Sequence, residues 1–69
     1  MKVQINGKPT ELANGANARD AAVAVGVEPG RGVAIALDGE VIPRAALELT
    51  PLRDGQRVEV VTAIGGGSR

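Results

Sequence analysis

Two stretches of this chain alternate apolar and polar residues with a period of two. Val3 and Ile5 alternate with Lys2, Gln4 and Asn6, and near the other end Val58 and Val60 alternate with Arg57 and Glu59, with Val61 on the same side as Glu59. Each reads as a strand with one face buried, the first over the N-terminal residues and the last over Arg57 to Ala63. Between them Val33 to Leu37 is apolar throughout. That pattern predicts a central strand, either buried on both faces or exposing only small residues. Asn6-Gly7, Asp38-Gly39 and Asp54-Gly55 punctuate the pattern, and such pairs supply the positive φ that tight turns require. The first two pairs predict hairpins that return through Pro9–Leu12 and Glu40–Ile42, with Pro9 confined to a strand start or an edge. Pro43 ends the second return strand, and residues 44–53 read as irregular, with one short helical turn around Ala45–Leu47.

The only helical spacing lies between the two hairpins. Ala18, Ala21, Ala22 and Val25 fall at i, i+3, i+4, i+7 and share one face. Asn17 stands in the N-cap position with Asp20 three residues on, and Gly26 stops the helix. A face made largely of alanine requires the helix to lie close to its sheet. The predicted core therefore packs Val3, Ile5, Val33, Ile35, Leu37, Val58 and Val60 against Ala18, Ala21, Ala22 and Val25. On the opposite face of the sheet, Ala34, Ala36, Val61 and Ala63 form a low apolar patch. The order strand, strand, helix, strand, strand, strand predicts an α+β, ubiquitin-like β-grasp fold: a mixed four- to five-stranded sheet with one helix on one face. The domain is expected over residues 1–64, followed by a flexible Gly-rich tail over 65–69.

Composition narrows the chemistry. With 69 residues the chain makes one small domain. It has no Cys, no His and no aromatic residue. Disulfides and the usual transition-metal sites are excluded, and so are the commonest general base and the best nucleophile. Ser68 has no base to activate it. The eight basic and eight acidic residues balance, which removes the electrostatic footprint of a nucleic-acid binder. The longest apolar runs fall far short of a bilayer span. The expectation is a cytoplasmic, non-enzymatic globule that works through other proteins, with no metal or cofactor of its own and no nucleic-acid or membrane partner.

The stretches Gly32–Leu37, Val41-Ile42-Pro43-Arg44 and Asp54–Gly67, which ends Val60-Val61-Thr62-Ala63-Ile64-Gly65-Gly66-Gly67, resemble a ThiS-type sulfur carrier of thiamine biosynthesis. The likeness covers nearly the whole chain and is weakest in the alanine-rich helix. It implies a protein substrate rather than an enzyme. An E1-like adenylyltransferase of the ThiF type would activate the terminal glycine with ATP, and a sulfur donor would displace AMP to leave a thiocarboxylate. A thiazole synthase of the ThiG type would then consume the sulfur. The positions carried over are Gly66 and Gly67, with the thiocarboxylate on Gly67. Val61, Ala63, Ala34 and Ala36 are the candidate docking residues. Arg44 is a candidate contact to an acidic partner surface, with simple solvation as the alternative.

Ser68 and Arg69 depart from the family pattern, which ends at the glycines. Removal by a tail-trimming protease, an origin outside the natural chain, and a paralogue without the activity are the three explanations. Two other functions fit the same residues. One is sulfur supply to molybdopterin or cysteine synthesis. The other is a β-grasp interaction module that forms no thioacid.

Overall fold

The first hairpin shows how locally this fold is specified. In the computed structural model, which describes residues 1–62, Asn6 and Gly7 have φ of 52° and 81°. These two left-handed residues make the two-residue turn whose twist matches that of the flanking strands. They join β1 (Lys2–Ile5) to β2 (Lys8–Glu11), with Ile5 opposite Lys8 and Gln4 opposite Pro9. Asp38 and Gly39, at 49° and 86°, do the same between β3 (Val33–Leu37) and β4 (Glu40–Ile42). The last strand is β5 (Arg57–Thr62). The five strands form one sheet in the order β2-β1-β5-β3-β4. All neighbours are antiparallel except β1 and β5, which run parallel with Gln4 beside Arg57 and Ile5 beside Val58. Pro9 lies on the edge strand, as its missing N–H requires.

The helix α1 (Ala18–Ala24) opens with a reciprocal cap. The Asn17 Oδ1 accepts from the Asp20 N–H at 2.9 Å, and the Asp20 carboxylate accepts from the Asn17 N–H at 2.9 Å. Two orphan donors are satisfied together. Ala18, Ala21 and Ala22 are wholly buried against the sheet. Val25 is not, contrary to its predicted place on that face. It is the C-cap with φ −103° and ψ 17°. The chain leaves helical geometry there and turns through Gly26 at φ 79°. Val25 is 40% exposed, and Val27 packs at the edge of the core instead.

The second correction concerns residues 44–53. A 3-10 helix, η1 (Arg44–Leu49), takes up most of this segment. It is stapled to the start of α1: the Ala18 N–H donates to the Thr50 carbonyl at 3.0 Å and the Leu52 N–H to the Ala16 carbonyl at 2.9 Å. Leu47 and Leu52 are buried with Val3, Ile5, Ile35, Leu37, Val58, Val60 and Ala16. An alanine face leaves volume unfilled between helix and sheet, and close packing does not tolerate it. The two leucines of this segment supply the missing bulk. Val33, expected in the core, is only partly buried at its margin.

Asn6 does more than turn the hairpin. Where β1 leaves the sheet, its side chain takes over the pairing with β5. Its Oδ1 accepts from the Val60 N–H at 2.9 Å and its Nδ2 donates to the Val60 carbonyl at 3.3 Å. Replacing Asn6 by Ala removes both bonds and puts a Cβ residue without a compensating side chain at positive φ. The expected cost is roughly 1–3 kcal/mol. Asn6→Gly relieves the backbone but still lacks the clamp, so denaturant melts of the two variants separate the effects. A glycine variant as stable as the parent would show that the clamp contributes nothing.

Candidate docking face and tail exit

Because side chains alternate across a strand, burying Ile35, Leu37, Val58 and Val60 under α1 turns their neighbours to the other face. Ala34 stands opposite Val61, and Ala36 stands between Glu59 on β5 and Val41 on β4. Val61 is 60% exposed and Val41 66%, Ala34 is exposed and Ala36 half-buried. The result is a shallow apolar patch across three strands, with no helix over it among the described residues. Its β1 side is polar, where Gln4 neighbours the exposed Arg57 and Glu59 follows on β5. The patch contains Ala34, Ala36 and Val61 as expected from sequence. Ala63, Gly66 and Gly67 lie outside the described residues.

Val41 was missing from the sequence reading. The signal was present in the three residues of β4: with Ile42 turned to the core, alternation places Val41 on the open face. Small patches of exposed valine and alanine occur on many monomers. What distinguishes this one is its position. Thr62 pairs with Val33 at the last register position of the β3–β5 ladder. β5 therefore ends at the border of the patch, one residue after Val61.

Arg44 is not part of this face. It begins η1, which packs on α1, so it lies on the helix side of the sheet. There it lines an open cleft together with Arg19 and Arg31. No backbone pattern in the sequence joins residues 19, 31 and 44. Only the return of the chain after β4 brings them together. Among the described residues no three metal-ligating side chains cluster, and no helix is long and apolar enough to cross a membrane.

Among the described residues, an antiparallel sheet with one parallel pair and a single α-helix across one face define a ubiquitin-like β-grasp protein. The ThiS family model matches residues 3–67, nearly the full length. The chain belongs to the ThiS family, the sulfur-carrier family that its sequence resembles. Two solved structures from Geobacter metallireducens agree. The crystal structure of a thiamine biosynthesis protein, ThiS, is 35% identical with a TM-score of 0.77, covering 97% of this chain and 100% of that one. An NMR solution structure of a thiamine biosynthesis protein is 34% identical with a TM-score of 0.78, covering 100% of this chain and 91% of that one. No curated protein matches the chain.

Proposed function

We propose that this chain carries sulfur for thiazole formation in thiamine biosynthesis, as a thiocarboxylate on Gly67. The observation that carries the reading is that the family match runs to Gly67 and includes the glycine run. A glycine carboxylate is the least hindered one a protein can offer for adenylation, and no Cβ crowds the channel that must enclose it. In the proposed sequence the Gly67 carboxylate oxygen attacks the α-phosphorus of ATP in an E1-like adenylyltransferase. Pyrophosphate leaves and an acyl adenylate forms. A sulfur nucleophile then adds to the acyl carbon and AMP departs with the C–O bond electrons. A thiazole synthase consumes the thiocarboxylate. The carrier itself performs no catalysis and holds no cofactor; ATP belongs to its partner. Ser68 and Arg69 lie beyond the matched residues, and we assign their removal to a trimming protease. The thiamine biosynthesis proteins among its structural relatives favour the thiazole pathway over molybdopterin or cysteine synthesis.

The direct test is intact mass spectrometry of the form ending at Gly67 after incubation with ATP, a ThiF-type adenylyltransferase and a sulfur donor. Exchange of one terminal oxygen for sulfur is expected. An unchanged mass would favour a β-grasp interaction module that forms no thioacid.

The open face is the proposed docking surface for the activating enzyme, because β5 ends one residue after Val61 and so fixes the origin of the glycine run beside that face. Val61→Asp should weaken that association by roughly ten-fold or more, since burying an unpaired carboxylate at an apolar contact is costly. Because Val61 is exposed, the melting curve should hold. Unchanged affinity by calorimetry, with a normal melt, would remove this face from the interface.

A further inference from the structure

On the helix side of the sheet, a cleft of about 750 Å³ opens between the loop before β3 and η1. Arg19, Arg31, Arg44 and Glu48 line it, together with Pro29 and Leu49. Leu49 is 80% exposed, more than any other large hydrophobic side chain among the described residues. The charges are not neutralised evenly. Glu28 and Glu48 both lean on Arg19, each at 3.5 Å. Arg31 and Arg44 form no ion pair among the described residues. In a chain with balanced charge, two uncommitted guanidinium groups beside a bare leucine make a local site with its own preference.

We propose that this cleft binds an acidic, aliphatic segment of the protein that receives the tail; the identity of that partner rests on the carrier reading above. Three observations converge on it. All three cations in the cleft are arginines, whose planar forks match carboxylates in a way that lysine does not. Leu49 and Pro29 give an aliphatic side chain a surface to cover, which a free phosphate would leave wet. The loop that carries Arg31 leads directly into Val33, the partner of Thr62, and the Val33 N–H donates to the Gly30 carbonyl at 3.1 Å. The cleft thus sits at the same end of the sheet as the point where the chain leaves β5. A protein holding the tail passes beside it, on the side away from Val61.

The probe is a blocked peptide of alternating Glu and Leu, titrated into the isotopically labelled full chain and followed by amide chemical shifts. Saturable shifts are expected at residues 30–32 and 44–49 and not at Ala34 or Val61. The Arg31→Glu/Arg44→Glu double variant should bind the peptide roughly ten-fold more weakly. Leu49→Ala should weaken it several-fold, and Arg53→Glu, outside the cleft, should leave it unchanged. Equal binding of the peptide with Gln in place of Glu would overturn the proposal, as would absence of saturable shifts. Inorganic phosphate causing the same shifts at the same concentration would also overturn it, because the site would then take small anions. Peptide binding does not need the tail to react. A chain that binds peptide but whose form ending at Gly67 is never adenylated would therefore leave the cleft standing and remove the carrier reading, and the converse result would do the opposite.

Discussion

Adenylation should depend on the last residue by orders of magnitude. In ATP–pyrophosphate exchange with a cognate adenylyltransferase, the form ending at Gly67 should be a good substrate. The full chain should be a poor one, and the form ending at Gly66 should fail. The reacting group is a free carboxylate, and its position along the chain is set by covalent geometry. With Ser68 and Arg69 attached, that carboxylate lies two residues past Gly67, about 7 Å of extended chain. Arg69 also brings a long cationic side chain where the family pattern presents glycine. Displacement of the reacting atoms by even ~1 Å can cost ~100-fold in rate, so a misplacement of this size is not a mild defect. The reach argument works in the other direction too. Residues 63–67 span at most about 18 Å from the end of β5 when fully extended, and removing Gly67 shortens that span by about a fifth while docking fixes its origin. Equal exchange for the full chain and the Gly67 form would sink the trimming assignment. Exchange with none of the three forms would point to the interaction module.

Ile35→Ala should unfold most of the protein at room temperature. Ile35 is 1% exposed at the centre of β3, with Val60 on one side and Ile42 on the other. Truncating a buried isoleucine costs roughly 2–5 kcal/mol, the higher values arising where surroundings cannot collapse into the space. Collapse is hard here. The neighbours are short, branched or alanine, and there is no aromatic ring in the chain to swing into a cavity. An unstapled domain of this size has only ~3–5 kcal/mol to lose. Circular dichroism melts should show a much reduced transition, while Val41→Ala on the open face should melt with the parent. If Ile35→Ala also melts with the parent, the core face has been assigned to the wrong side of β3.

Much of the fold was legible because its signals are local. The positive φ of Asn6-Gly7 and Asp38-Gly39, the Asn17–Asp20 cap and the alternation of β5 each depend on a few adjacent residues, and a backbone responds to them whatever surrounds it. The open-face residues Ala34, Ala36 and Val61 followed from the same alternation. Val25 failed because periodicity carries no information about where a helix unwinds. Its spacing continued a pattern that Gly26 and the cap geometry had already ended.

By itself, then, the sequence determined the turns, the strands, the helix cap and the glycine run that carries the functional reading. Tertiary structure alone decided three things. It chose β1 and β5 as the parallel pair of the mixed sheet, drew Leu47 and Leu52 into the space that an alanine helix leaves against the sheet, and gathered Arg19, Arg31 and Arg44 around one cleft on the side opposite the patch. The physical reason for the last two is shared. Residues 44–52 have no apolar period to declare a buried face, so their conformation, and with it the place of Leu47, Leu52 and Arg44, is set by the volume and the unpaired backbone groups that α1 and the sheet leave for them to fill.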